Sequence, residues 1–301
     1  MRLNCRLLVV IVAALYIGAG CQPGTRPDEL SGAGHSTALS ADGTPIRFKV
    51  QGQGDYTLVF VHGWCTDMTY WDAQIPSFRV YYRVVTLDLA GHGRSGRERK
   101  EWTMQAFGQD VAAVIKELDL SNVILVGHAM GGAAIMEAAR LVPDRVIGMV
   151  GADSFSDLYL AAYTPEQIAA TLALFQNDFA EDVRQYGLEN YFRSSSPERL
   201  KRRIVLEMAE TPAEIGLGAL EHLLKYDATD TLKQLTIPIR SINSDRPLVY
   251  FRVVRNHTEN FRLKFQKNVG HFLMLEESQE FNRNLAEFLG QIIQASYGGH
   301  T

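Results

Sequence analysis

A short glycine-rich turn is the feature of this sequence that best suits a reactive side chain. Residues 123–132 read V-I-L-V-G-H-A-M-G-G, so an apolar run ends at Gly127 and a helix-like run begins near Met130. The pattern strand, G-x-S-x-G, helix lifts a serine hydroxyl above a sheet on a strained turn. Both glycines of that pattern, Gly127 and Gly131, are present, but the central residue is Ala129. The sequence therefore predicts a nucleophile turn, residues 127–131, without its nucleophile.

Acyl transfer at such a turn also needs a histidine that takes a proton and a carboxylate that orients the histidine. His271 lies in the loop G-H-F before a closing helix, where the chain order nucleophile, acid, histidine places it. Asp245 follows a predicted strand in N-S-D, and Asp153 follows the strand after the turn. Both carboxylates are candidates for the acid, and the other role open to Asp153 is to line the pocket floor, or to cap the first helix of an insertion.

Backbone N–H groups are the expected donors to the oxyanion of an acyl intermediate. The pattern predicts the N–H of Met130, next after the central residue, and that of Trp64, which follows His62-Gly63. Cys65 lies beside this loop but lacks a nucleophile turn, so we expect a buried thiol. Nearby aromatic residues are candidates to line the substrate pocket, with plain core as the alternative for each: Trp64, Tyr70, Trp71, Phe155 and Tyr159.

The other histidines and the charge balance exclude two classes of function. His62, His92 and His128 accompany glycines that shape loops, and no metal-ligand spacing joins them. We therefore predict no metal and no other cofactor. The formal net charge is −4, which argues against a nucleic-acid partner. We expect a monomer that binds a small ester-like molecule.

The elements that must position these residues alternate between strands and helices. Alternation of this kind predicts an α/β fold with a mostly parallel sheet flanked by helices. Residues 154–235 break the alternation with helical patterns alone, and we expect an all-helical cap over the carboxyl ends of the strands, where ligands bind. The predicted strands are 35–39, 46–50, 58–61, 83–87, 123–126, 146–151, 239–243 and 262–266, and the predicted helices include 102–118, 165–186, 197–208 and 278–293. The core would then comprise 36–153 and 236–293, with a tail at 294–301.

The N-terminus predicts export. Residues 1–21 carry Arg2 and Arg6 before an apolar run too short for a bilayer span of about 20 residues, which is typical of a signal peptide. The run ends in G-A-G-C at Cys21, which resembles the lipobox of bacterial lipoproteins, although Gly18 stands where a leucine is usual. Residues 22–35 are rich in Pro and Gly and predict a flexible tether. We expect a lipid-anchored or periplasmic domain; without lipidation, a Cys21–Cys65 disulfide is the competing possibility.

Several motifs in this order resemble the α/β-hydrolase superfamily, in its group with a helical cap. The resemblance covers about residues 36–293 and implies a serine hydrolase of the esterase type. It also favours Asp245 as the acid, since most members place it after this strand, whereas some capped members use the position of Asp153. The motifs are H-G-W at 62–64, D-L-A-G-H-G-R-S-G at 88–96, the nucleophile turn, N-S-D at 243–245 and G-H-F at 270–272.

Ala129 leaves three interpretations open. The chain is an esterase whose serine was replaced by alanine, most simply by deliberate mutation; or a natural pseudoenzyme that binds a small ligand; or an enzyme that uses His271 and Asp245 as a base without a nucleophile. We favour the first, because the histidine, the acid, the oxyanion turn and both glycines of the nucleophile turn are all retained.

Overall fold

The computed structural model describes residues 36–157, 160–245 and 250–298. The predicted signal peptide, Cys21, the tether and Tyr159 lie outside these residues. None of the helices in these ranges combines the length and the apolar composition that a bilayer span requires.

One sheet of eight strands forms the centre of the domain, in the order β1-β2-β4-β3-β5-β6-β7-β8. The two strands at one edge pair antiparallel, and strands β3 to β8 run parallel. The predicted mostly parallel sheet is therefore confirmed. The strands are β1 (Ser36–Leu39), β2 (Pro45–Gln51), β3 (Thr57–Val61), β4 (Arg83–Leu87), β5 (Val123–His128), β6 (Val146–Ala152), β7 (Ile239–Ser244) and β8 (Phe261–Gln266).

Helices cover both faces of this sheet, which explains why its central strands β3 and β5 are mostly apolar. Every residue of β3 and β5 is buried, as parallel strands packed on both faces require. Two of the packing contacts depend on glycine. A Cβ on Gly108 would collide with Glu137 of the neighbouring helix, and a Cβ on Gly148 of β6 would lie 2.5 Å from Ile292 of the last helix. The helices that flank the sheet are α1 (Ile75–Phe78), α2 (Met104–Glu117), α3 (Met130–Leu141), α9 (Arg252–His257), α10 (Leu273–Glu276) and α11 (Ser278–Gly298), with a 3₁₀ turn at Met68–Trp71.

The sequence placed the end of the last helix too early. Helix α11 continues to Gly298, so residues 294–298 belong to a helix and not to a tail. The short helices α1, α9 and α10 and the 3₁₀ turn were not predicted, because one turn of helix is too short to show an apolar period.

Five helices lie between β6 and β7 in the part of the chain that the structure describes. They are α4 (Pro165–Ala173), α5 (Phe179–Asn190), α6 (Glu198–Met208), α7 (Ala213–Leu224) and α8 (Thr229–Gln234). Residues 154–235 are called the cap below. The single helical run predicted at 165–186 is two helices, because Asp178 caps α5 by accepting a hydrogen bond from the N–H of Glu181.

The C-terminal end of the cap is fixed to α3 by a buried carboxylate. Glu137 accepts hydrogen bonds from the Tyr226 hydroxyl at 2.8 Å and from the Thr231 hydroxyl at 2.5 Å. Its other oxygen pairs with Arg140 at 2.9 Å. A carboxylate that is 1% exposed needs these partners, so the cap and the helix after the nucleophile turn are joined by a satisfied polar cluster.

Candidate active site

The nucleophile turn holds its central residue in a strained conformation. Ala129 separates β5 from α3 with φ of 48° and ψ of −114°. A non-glycine residue in such a region costs about 1–3 kcal/mol and persists only where its surroundings enforce it. A Cβ on Gly127 would lie 2.5 Å from the Gly131 carbonyl, and one on Gly131 would collide with the His62 carbonyl. The glycines thus let β5, α3 and the loop after β3 pack together, and this packing enforces the turn.

His271 is paired with a buried carboxylate. Its Nδ1 lies 2.6 Å from Oδ2 of Asp153, and the two residues are 5% and 3% exposed. The other oxygen of Asp153 accepts from the N–H of Ser244 at 2.9 Å and from its hydroxyl at 2.8 Å. A carboxylate held on both oxygens fixes the ring so that Nδ1–H donates to it, which leaves Nε2 to take a proton.

The carboxylate on His271 is therefore Asp153, and the preference for Asp245 is corrected. Asp245 accepts a hydrogen bond of 2.5 Å from Arg193 and one of 3.2 Å from the N–H of Asn268. The register explains the difference: Ala152 pairs with Ile242, and the Asp153 N–H donates to the Ile242 carbonyl at 2.8 Å. This register places the residue after β6 beside Ser244, one residue before Asp245.

The loop that carries His271 is held through its backbone. The His271 N–H donates to the Tyr191 carbonyl of the cap at 2.6 Å, and the Gly270 N–H donates to Glu276 at 3.0 Å. Nε2 of His128, in the nucleophile turn, lies 3.0 Å from the His271 carbonyl, and the two imidazole rings are 4.6 Å apart. Tyr191 and Glu276 were missed, since no local pattern marks a contact made across the fold, and His128 was taken only as a loop residue.

The two expected oxyanion donors border Ala129. Met130 is the first residue of α3, and the first N–H groups of a helix have no partner within it. A Cβ on Gly63 would lie 3.4 Å from the Ala129 Cβ, so the backbone that leads into Trp64 runs against the turn. The positive end of the α3 dipole favours negative charge at the same place.

His62 fixes the shape of the loop that carries Trp64. Its Nε2 accepts from the N–H of Leu89 at 2.9 Å, so the proton is on Nδ1, which donates to the Gly63 carbonyl at 2.8 Å. Burial lowers the pKa of His62, which keeps the ring neutral. The expectation that this histidine shapes a loop agrees with these bonds.

A small cavity of about 50 Å³ joins the turn, His271 and the cap. The cap side is mostly apolar, so the cavity suits a compact apolar group beside Ala129. Of the aromatic residues predicted to line the pocket, Trp64 does line this cavity, whereas Trp71 packs on Phe60 at 4.9 Å and belongs to the core. The lining residues are Trp64, His128, Ala129, Met130, Tyr191, Met208, Leu220, Leu223, His271 and Phe272.

Two more of the aromatic candidates lie elsewhere. Phe155 is fully buried against Gly151, whose added Cβ would lie 2.8 Å from its ring. Tyr70 packs on Phe272 at 5.8 Å and borders a separate polar cavity. The sequence missed Met208, Leu220 and Leu223, because apolar residues on a cap helix show the same period whether they cover a core or a cavity.

Neither a reactive thiol nor a metal site is found in the described ranges. Cys65 is buried, and burial raises the pKa of its thiol, which keeps the sulfur protonated and weakly nucleophilic. Burial also lowers the pKa of His92 to about 3, and its Nδ1 donates to the Ala90 carbonyl at 3.0 Å. No group of three or more His, Cys, Asp or Glu side chains among these residues could hold a metal ion.

Comparison with known proteins gives likenesses over most of the chain. The sequence model of a family described as "Alpha/beta hydrolase family" matches residues 58–284. A non-heme chloroperoxidase from Streptomyces lividans is 27% identical over 274 residues, which cover 84% of this chain and 99% of that protein. The dihydrolipoyllysine-residue acetyltransferase component of an acetoin cleaving system from Pseudomonas putida is 25% identical over 266 residues, which cover 80% of this chain but only 65% of that protein.

A solved structure extends the comparison of folds. The structure of a thermophilic esterase from Thermogutta terrifontis has a TM-score of 0.76 and 20% identity, with 86% of this chain and 99% of that chain covered. Identity at this level indicates a shared fold alone. These proteins are named for different activities, so the comparison alone does not assign a reaction to this chain. The reaction has to be inferred from the side chains of the site.

Proposed function

The chain belongs to the alpha/beta hydrolase family, and from that premise we propose that it is a serine-hydrolase scaffold for ester-type bonds, inactivated at one position, Ala129. The observation that carries the proposal is the Asp153–His271 pair, joined at 2.6 Å, whose histidine lines the same cavity as Ala129. These are the base and orienting acid of a triad, next to the residue that would carry the nucleophile. The homology supports hydrolase chemistry, and the ester specificity is our inference.

A hydroxyl at position 129 would complete a known set of roles. His271 would take its proton at Nε2 while Asp153 stabilises the resulting imidazolium. The hydroxyl oxygen would bond to the carbonyl carbon of the substrate, and the N–H groups of Trp64 and Met130 would donate to the oxyanion. The histidine would then give the proton to the departing alcohol. Water would release the acyl group by the same steps and restore the hydroxyl.

The cavity supports a small acyl group. Its volume of about 50 Å³ leaves room for only a small group beside Ala129. Met208, Leu220 and Leu223 of the cap give no charge or hydrogen-bond donor to that volume. We therefore infer a preference for esters of acetyl size, with the alcohol side of the substrate extending beyond this cavity.

With alanine at the turn, the pocket is expected to bind substrate without forming an acyl-enzyme. Loss of a triad serine typically costs about 10⁶-fold in turnover, because the members act as a unit, whereas the oxyanion donors alone retain part of the acceleration over water. A small-molecule-binding pseudoenzyme would share this property. An enzyme that uses His271 and Asp153 as a base on water would instead turn substrate over already.

The test is to restore the hydroxyl with Ala129→Ser and measure hydrolysis of p-nitrophenyl acetate. Turnover should rise by several orders of magnitude, up to about 10⁶-fold. A fluorophosphonate probe should label the variant at position 129 alone, and His271→Ala in the same background should abolish both results. A folded variant that neither hydrolyses esters nor takes the probe would overturn the proposal. Activity that is already present with Ala129 and is lost in His271→Ala would favour base chemistry.

We also propose that the domain is exported and anchored to a membrane through a lipid on Cys21. The support is the charged, apolar and small-residue order of residues 1–21.

A further inference from the structure

One segment of the cap contacts the loop that carries His271. Residues 191–196, called the latch segment below, lie in the connection between α5 and α6. Its carbonyl at Tyr191 accepts from the His271 N–H at 2.6 Å. A Cβ on Gly270 would collide with that same carbonyl, so the glycine allows the approach. The backbone position of His271 is thus set by the cap and not by the sheet alone.

Aromatic packing supports the same contact. The ring of Tyr191 lies 5.0 Å from the His271 imidazole, and Phe192 stacks on Phe272 at 5.8 Å. Rings at these distances attract one another beyond the apolar area that they bury. The latch segment therefore covers His271 with side chains as well as with its backbone.

Arg193 extends the contact to the residues that precede His271. Its Nε donates to the Val269 carbonyl at 3.1 Å, and its Nη2 donates to Asp245 at 2.5 Å. Asp245 also accepts from the N–H of Asn268 at 3.2 Å. The planar guanidinium holds a carbonyl and a carboxylate at fixed relative positions, which an ammonium group cannot do as well.

Ser196 completes the contact from the other side of the loop. Its hydroxyl donates to Glu276 in a short hydrogen bond. The same carboxylate accepts from the Gly270 N–H at 3.0 Å on each oxygen. Gly270 and His271 are therefore both held, directly or through Glu276, by residues of the cap.

The orienting acid Asp153 and the base His271 are held by different parts of the fold. Asp153 is fixed by Ser244 within the sheet, whereas the backbone of His271 is held by the latch segment at its N–H and by His128 at its carbonyl. Displacing the latch would move the ring relative to a stationary carboxylate and a stationary turn. A misplacement of about 1 Å can cost on the order of 100-fold in rate.

We propose that the latch segment positions His271 and that the ion pair of Arg193 with Asp245 holds this segment against the loop that carries His271. The base is then aligned only while this contact is made. Arg193 is a positioning residue, because it acts through Val269 and Asp245 and does not line the cavity beside Ala129. Asp245, which does not touch His271, supports it through the cap. The consequence for turnover rests on the proposed function, but the positioning itself does not.

The first arm of the test uses the chain with Ala129 and needs no activity. Hydrogen exchange is measured by mass spectrometry on peptides that cover residues 266–276. Arg193→Leu should speed exchange there by at least about tenfold, because the Val269 carbonyl loses its donor and Asp245, which accepts from the Asn268 N–H, loses its ion-pair partner. Arg193→Lys should give an intermediate value. The matched control is Arg184→Leu, which removes an arginine of the same cap whose salt bridge to Glu181 stays within α5; it should leave these peptides unchanged.

The second arm uses the Ala129→Ser background. Arg193→Leu should lower kcat by roughly 10- to 100-fold and change KM by less than about threefold, and Asp245→Asn combined with it should add little. Unchanged exchange and kcat in Arg193→Leu would overturn the proposal, as would equal effects in Arg184→Leu. If Arg193→Leu fails to fold, Arg193→Lys decides by the same criteria. If Ala129→Ser is inert, the proposed function fails and the exchange arm still decides the positioning.

Discussion

Asp153 and His271 are joined by a hydrogen bond of 2.6 Å, and the carboxylate that makes it is held on its other oxygen by two donors from Ser244. The carboxylate cannot turn away from the ring without breaking all three bonds. The pair is thus organised before any substrate binds, which is the condition under which a triad acid and base act efficiently.

Substitution of this acid should have a much larger effect than substitution of Asp245. In the Ala129→Ser background, Asp153→Asn should lower kcat by about 10⁴-fold, because an amide cannot hold the required tautomer or stabilise the imidazolium. Asp245→Asn should cost roughly tenfold, through the latch segment alone. Steady-state hydrolysis of p-nitrophenyl acetate measures both. A larger loss of kcat in Asp245→Asn than in Asp153→Asn would show that Asp245 is the orienting acid.

Acyl-chain preference should respond to the cap wall of the cavity. Leu220→Ala enlarges a cavity of about 50 Å³, so in the Ala129→Ser background kcat/KM for butanoate relative to acetate should rise by about tenfold. The gain reflects room for the longer chain, since each methylene in an apolar pocket is worth about 1–3 kcal/mol. Leu206→Ala removes an exposed leucine of the same cap and serves as the control. An equal change in both variants would show that the cap wall of the cavity does not select the acyl chain.

Stability should fall in mild acid because of a buried neutral histidine. The pKa of His92 is about 3 in the folded protein against an ordinary value of 6.5, so the unfolded chain binds more protons between these values. Stability is therefore full above pH 6.5 and is lost as the pH falls toward 3. Between pH 7 and pH 5 this one residue should cost about 2 kcal/mol.

Urea unfolding of a His92→Asn variant measures that contribution. The variant keeps a donor for the Ala90 carbonyl but cannot take up a proton. The difference in unfolding free energy between pH 7 and pH 5 should shrink by about 2 kcal/mol relative to the parent chain. His222→Asn, on helix α7, is the control for the effect of the substitution itself. A His92→Asn chain with the full acid loss would contradict this explanation.

Membrane attachment should depend on one cysteine. Expressed in a diderm bacterium, the chain should incorporate labelled palmitate and fractionate with membranes, because acylated Cys21 would be its new N-terminus. Cys21→Ser should abolish both properties, whereas Cys65→Ser should abolish neither. Labelling that survives Cys21→Ser would exclude the lipid anchor at this residue.

The strands and the nucleophile turn could be predicted from the sequence because their signals are local. A run such as 123–126 is apolar because both faces of its strand are covered, and glycines end it where the backbone turns. The choice between Asp153 and Asp245 is not local. It depends on the register of β6 against β7, which no single segment encodes.

The cap contacts were also beyond sequence reasoning. Arg193 and Asp245 are distant in sequence and partly exposed, so each alone has the composition of an ordinary surface residue. Tyr191 accepts a hydrogen bond from the His271 N–H through its carbonyl, a group that every residue possesses. Such contacts become visible only when the path of the chain is known.

The backbone at position 129 keeps its strained shape although the residue there has no reactive atom. The shape is imposed by the close packing of Gly127 and Gly131, so it does not depend on the side chain between them. The direction of the Cα–Cβ bond at this position is therefore fixed in advance of any chemistry. A serine or a cysteine placed there would each have its oxygen or sulfur delivered to the same small volume beside His271. Exchanging that one residue would thus change the class of nucleophile while the rest of the machinery stays where it is.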